Sequence, residues 1–358
     1  MRERDNTLDM IKAIAIILVC LYHSYYLEKE SVAYTALFSF CSMGVPLFFF
    51  VNGALLFTPP LNVKKHFKKT GKVIFLTLVW VLLILSIIKL CILPEGEMSR
   101  TEFFKTLLYL KTGYVINQYW FLLALVMLYV FFPLFKRTFD SDKVALLLFT
   151  AIVFLLTFGN KFLYVAHQLL LLYKGKDLCV EVKNYIPWYN CLYNMYHAFA
   201  FVYFFLAGGM AYHYIKSHRS EMGISQRYKW GMGVLFVASW GISVLIGRLF
   251  MSAMKWDPCF GGYDLITTFL MTCCFCFVLV NTEIPRLSHL LGLVSKNTLG
   301  IYFVHGILIY ITKPWVVEIP VLCNAACYVA YVVIILSLSL FIVLTAKRIP
   351  FVCGLFKL

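Results

Sequence analysis

Leu8-Asp9-Met10-Ile11-Lys12-Ala13-Ile14-Ala15-Ile16-Ile17-Leu18-Val19-Cys20-Leu21-Tyr22-His23 is the stretch that decides the fold. Between Lys12 and His23 no residue carries a charge, and the apolar run extends over residues 8–26. That is the length of one helical crossing of a bilayer, roughly 20 residues. The run has no small-residue cleavage site and continues into a charged turn, so it reads as a retained span and not a signal peptide. Its two polar ends share a face. Eleven residues are about three helical turns, roughly 16 Å, so Lys12 and His23 line up along one side of the helix.

The rest of the chain repeats the pattern. Of its 358 residues, 62% are hydrophobic and 14% charged, with a mean hydropathy of +0.83. A soluble domain has about 45–50% apolar and about 25% charged residues. The gap excludes a soluble enzyme, a disordered chain and an ordinary nucleic-acid binder. Further apolar runs occur at residues 34–57, 73–93, 119–135, 144–159, 196–215, 230–250, 264–281, 298–312 and 321–345. The expected fold is all-α: a polytopic transmembrane helical bundle of about ten spans. With no repeat, low-complexity segment or composition break, residues 1–358 read as a single integral-membrane domain.

The net charge of +15 fits this reading. Cytoplasmic loops of membrane proteins carry an excess of Lys and Arg. Placing both termini in the cytoplasm puts 19 of the 32 Lys and Arg on that side, most densely at residues 64–72. Residues 101–118 are amphipathic and read as an outer interfacial segment. Residues 160–195 read as a long aromatic-rich outer connection. Most of the 12 Cys lie in apolar runs, where a thiol is a small hydrophobe. Cys273 and Cys276 form a C-x-x-C without a second pair or a His at ligand spacing, so no metal site is expected. Cys179, Cys191, Cys259 and Cys323 fall in or beside outer connections, and nothing in the sequence pairs them.

Ionisable residues inside spans are costly and usually functional. His23 reads either as a proton-transfer group or as an interfacial histidine. Asp9, one turn before Lys12, is placed to pair with it. Asn52-Gly53 ends an aromatic run as a buried amide and a site of close helix approach. Val63-Lys64-Lys65-His66-Phe67-Lys68-Lys69-Thr70-Gly71-Lys72 is either a cradle for an anionic cofactor's phosphates or a lipid-facing topology signal. Tyr302 and His305 share a face of the ninth span. His305 reads equally as a base, an acceptor-orienting group or a core residue. His66, His167, His197, His213, His218 and His289 read as loop or boundary residues.

These blocks together resemble the acyltransferase-3 family of membrane O-acyltransferases. Lys12 to His23 is similar to that family's first motif, an Arg, ten residues and a His. Pro46-Leu47-Phe48-Phe49-Phe50-Val51-Asn52-Gly53 resembles its Phe-rich stretch ending in Ser-Gly. Tyr119-Trp120-Phe121-Leu122 with Pro133-Leu134, Phe204-Phe205-Leu206-Ala207-Gly208 and Leu299-Gly300-Ile301-Tyr302-Phe303-Val304-His305 follow in family order. Lys stands in place of Arg at Lys12 and at the basic motif Lys69-Thr70-Gly71-Lys72, which keeps charge but loses the bidentate fork. Asn52 replaces the usual Ser.

The resemblance implies transfer of an acyl group, usually acetyl, from acetyl-CoA or another short acyl-CoA to a sugar hydroxyl. The acceptor is a cell-surface glycan or lipid-linked saccharide, and the setting a bacterial plasma membrane. It implies His23 as catalytic base with Lys12 and Asp9, and Lys68, Lys69 and Lys72 on the donor phosphates. Asn52, Trp120, Tyr302 and His305 support the substrates. No metal and no nucleic acid take part; membrane lipids surround the chain. Two other readings stand beside this one: a proton-coupled transporter or exporter of a glycan or small polar solute, and a non-catalytic membrane partner.

Overall fold

A computed structural model of the chain describes residues 5–24, 31–92, 98–109, 118–176, 196–218, 226–254, 262–280, 285–317, 325–350 and 352–356. Among them the fold is helical with no strand. In hydrocarbon every backbone polar group needs an internal partner, which helices provide within a single segment. The helices are α1 (Asn6–His23), α2 (Val32–Cys41), α3 (Gly44–Phe57), α4 (Val63–Ile87), α5 (Arg100–Tyr109), α6 (Trp120–Ser141) and α7 (Lys143–Phe154). After these come α8 (Asn160–Tyr173), α9 (Tyr196–Ser217), α10 (Gln226–Met254), α11 (Ile266–Val280), α12 (Pro285–Val317) and α13 (Ala325–Ala346). Seven helical segments among the described residues, with 32–57 and 143–173 each taken as one, are long and apolar enough to cross a membrane.

Local chemistry sets several boundaries. Ser31, Asn62 and Asp142 cap α2, α4 and α7, accepting from the backbone N–H of Tyr34, Lys65 and Ala145. Hydroxyls inside the spans turn back on their own helices. Thr77 donates to Val73 O at 2.8 Å, Thr150 to Leu146 O at 2.8 Å and Thr272 to Thr268 O at 2.7 Å. This keeps polar groups satisfied where no water reaches.

Three expectations change. The second span is not continuous: α2 ends at Cys41 and α3 starts at Gly44. Pro46 supplies the reason, since it has no N–H for the Ser42 carbonyl and its ring would strike that carbonyl in a continuous helix. Residues 160–173 are not connection but helix. Gly159 and Asn160 look like a turn signal, yet Gly159 sits at an ordinary helical φ of −63°. A π-turn at Leu155–Gly159 joins α7 to α8, so residues 143–173 are helical throughout. His167 accordingly lies within α8, while His66 and His213 lie near the ends of α4 and α9. Residues 177–195, with Cys179 and Cys191, and the positions of Cys259 and Cys323 lie outside the described residues.

The chain divides into two compact units. One holds α1 as far as Tyr22, α2, α3, the end of α6, α7 to α11 and the start of α12. Within it α3 packs along α9 at close range. A Cβ on Gly53 would run into the Phe205 carbonyl, and one on Gly208 would lie 2.6 Å from Phe50 Cα. Two sequence blocks far apart in the chain therefore meet as one backbone-to-backbone crossing. Trp240 Nε1 donates to Ala36 O at 2.8 Å and joins α10 to α2.

The second unit holds His23, α4, α5, α6 as far as Leu134, α12 from Lys296 and α13. Trp80 stacks flat on Phe303, ring centres 4.8 Å apart, and donates to Leu355 O at 3.0 Å. Thr312 and Tyr331 share a 2.6 Å hydrogen bond that ties α12 to α13. Gly300 lies against Val343 and Phe356, where a Cβ would not fit.

Candidate active site

Two histidines define the site in this second unit. His23 ends α1, and His305 lies mid-way along α12. Their ring centres are 5.7 Å apart at a 44° tilt. His305 is fully buried, and its Nδ1 lies 3.0 Å from Ile301 O one turn earlier. That carbonyl can only accept, so Nδ1 carries the proton and Nε2 presents a lone pair. Among the described residues this Nε2 is buried without a hydrogen-bond partner.

Tyr302, one turn before His305, has its ring centre 5.7 Å from the imidazole and donates its hydroxyl to Gln118 O. Tyr119 crosses Tyr302 edge-on at 5.9 Å and donates to Phe303 O at 3.4 Å. Trp120 is half-buried beside Phe121, whose ring packs 5.6 Å from Tyr302. The aromatic block at the start of α6 thus holds the histidine-bearing face of α12.

Gln118 is the residue that sequence reading missed. Its side chain is buried, and its Nε2 lacks a hydrogen-bond partner among the described residues. The carboxamide occupies the space that a Cβ on Gly306 would fill, its Cδ lying 2.6 Å from that position. Gly306 follows His305 directly, so the Gln118 carboxamide meets α12 one residue from the histidine. The available signal was a buried-type polar residue directly before the Tyr-Trp-Phe-Leu block and a Gly directly after the His.

The basic cluster is helical. Lys64, Lys65, Lys68, Lys69 and Lys72 are all exposed on the first turns of α4, while His66, Thr70 and Val73 face inward. His66 Nε2 donates to Tyr129 O at 2.7 Å, and Lys69 lies 5.9 Å over the Tyr129 ring. With no acidic residue in the first turn, the helix presents a stripe of ammonium groups. The remaining expected site residues lie in the first unit. Asp9 accepts from Ser295 Oγ at 2.7 Å, and Lys12 is half-buried on α1. Asn52 donates to Phe48 O at 2.8 Å along α3. No group of three His, Cys, Asp or Glu side chains placed to hold a metal occurs among the described residues.

Apolar membrane-length helices carrying a few converging polar side chains describe a multi-pass membrane protein with the parts of an enzyme site. The family described as an acyltransferase domain matches residues 5–346, nearly the whole chain, which therefore belongs to the acyltransferase-3 family and is a membrane acyltransferase. No curated protein and no solved structure matches the chain.

Proposed function

We propose that this protein transfers a short acyl group, most simply acetyl, from cytoplasmic acyl-CoA to a hydroxyl of a cell-surface or lipid-linked glycan. The whole chain acts as one acyltransferase domain in a bacterial plasma membrane. The observation that carries the reading is the His23–His305 pair, ring centres 5.7 Å apart, with the His305 Nε2 buried and without a hydrogen-bond partner among the described residues. An alcohol is a weak nucleophile until a base removes its proton, and imidazole is the side chain suited to that near neutral pH.

In this mechanism His23 takes the hydroxyl proton as the oxygen attacks the thioester carbonyl. The tetrahedral adduct then expels the CoA sulfur, and the imidazolium returns the proton to it. An ester and free CoA result. His305, with its tautomer set by Ile301 O, and Gln118 hold the acceptor oxygen. Trp120 and Tyr302 hold the surrounding structure. The exposed Lys68, Lys69 and Lys72 take the CoA phosphates. Lys12, with Asp9 beside it, offers one more cation on α1, three turns before the base.

The test is transfer of radiolabel from acetyl-CoA to a lipid-linked or free glycan by purified protein. Wild type should label the glycan and His23→Ala should not, at equal protein in the membrane. Equal labelling by the two would overturn the assignment of the base.

A further inference from the structure

The first unit contains a cavity that the acyl-transfer reading does not use. It has a volume of about 650 Å³ and lies between α7 and α9, closed by Phe139 at one end and Phe269 at the other. The two helices run antiparallel here. Lys143 at the start of α7 and His213 near the end of α9 meet across Phe139, at 5.4 Å and 5.1 Å from its ring centre. At the far end Phe154 packs on Tyr203 at 5.3 Å and on Phe269 at 5.0 Å. The cavity is therefore graded along its length.

One end is cationic and polar: Lys143, His213, Ser217 and His218. The nearby carboxylates are committed elsewhere. Asp140 holds Lys136 at 2.8 Å, and Asp142 caps α7. Among the described residues no carboxylate is paired with Lys143, whose ammonium lies over the Phe139 ring. From that end the wall continues as Leu147, Ala151 and Phe154, all apolar. Lys143 to Phe154 spans roughly 16 Å of helix, close to half the hydrocarbon thickness of a bilayer, roughly 15 Å. Lys143 and Leu147 are exposed, so the cavity opens at the lipid-facing side of the helix.

We propose that this cavity binds one anionic glycerophospholipid, its phosphate at Lys143, His213 and His218 and one acyl chain along Leu147, Ala151 and Phe154. Charge selects the headgroup, and the wall length selects a membrane lipid over a small anion. Juxtamembrane cations attract anionic headgroups by about fivefold in affinity per Lys. The cavity's place between α7 and α9 makes the lipid a filler of the α7–α9 groove and not part of the bulk annulus.

The experiment reconstitutes the full chain in nanodiscs of phosphatidylcholine doped with phosphatidylglycerol and weighs the released protein by native mass spectrometry. Wild type should retain phosphatidylglycerol well above its bulk share. Lys143→Gln should cut that enrichment about fivefold. Ala151→Trp, which fills the apolar wall on an exposed helix face, should remove the retained lipid while leaving the protein monodisperse. Retention at the bulk ratio by wild type, undiminished retention by Ala151→Trp, or displacement by inorganic phosphate alone would each overturn the proposal.

Discussion

At the residue scale the two histidines are chemically distinct even though their rings are neighbours. His305 has its Nδ1 proton committed to Ile301 O, which fixes its role as an acceptor through Nε2. If His23 is the base and His305 orients the acceptor, Gln at each position separates the roles, because Gln accepts or donates hydrogen bonds but takes up no proton. His23→Gln should lower kcat by about 10²- to 10⁴-fold, the range for loss of a general base. His305→Gln should lose only about tenfold, the worth of an imperfect hydrogen bond. Steady-state kinetics on matched membrane preparations reads the difference; equal losses would make the two residues one functional unit. Gly306→Ala should behave like removal of Gln118, since its Cβ claims the carboxamide's place. A raised KM for the acceptor with an unchanged KM for acyl-CoA is the expected pattern.

At the element scale, α4 and the α3–α9 crossing make separate demands. The lysines stand on the exposed face of α4 while His66 and Thr70 anchor the other, so they can be changed without disturbing the fold. Lys69→Ala with Lys72→Ala should raise the KM for acyl-CoA roughly tenfold and weaken its dependence on ionic strength. Isothermal binding of CoA checks it directly, and an unchanged affinity removes these lysines from the donor site. The α3–α9 crossing instead depends on missing side chains. Gly53→Ala places a methyl against the Phe205 carbonyl, which is backbone and cannot rotate away, and should destabilise the protein by about 1–3 kcal/mol. Gly231→Ala on α10, with nothing within 4 Å, should be neutral or slightly stabilising. Thermal unfolding in one detergent compares the two.

At the scale of the whole molecule, the family settles the contest between enzyme and transporter that polar residues in spans leave open. If the donor enters from the cytoplasm and the acceptor from outside, sealed right-side-out vesicles should label an external glycan only when acyl-CoA is loaded within. Labelling by external acyl-CoA alone would reverse the proposed sidedness. Much of the fold was legible because lipid imposes a simple rule on sequence: long uncharged runs must be helices. Pro46 and Gly159 show the limit of that reading. Each is a helix breaker by composition, yet Pro46 separates two helices while Gly159 lies inside a continuous one, and neighbouring geometry decides which.

His23, Tyr302 and His305 were legible as polar residues in apolar surroundings, where each must be satisfied or used. Gln118 was not, because only the fold sets its carboxamide against Gly306, 188 positions later in the chain. The cavity between α7 and α9 was invisible for the same reason: its cationic and aromatic ends are built from residues on separate helices. The amino-acid sequence alone determined an all-helical membrane fold, because hydropathy and helical period act locally, and its resemblance to the acyltransferase-3 family carried the activity. Only the tertiary structure decided which polar atoms are paired and which are left open, because hydrogen bonding in an apolar interior depends on what another helix brings within about 3 Å.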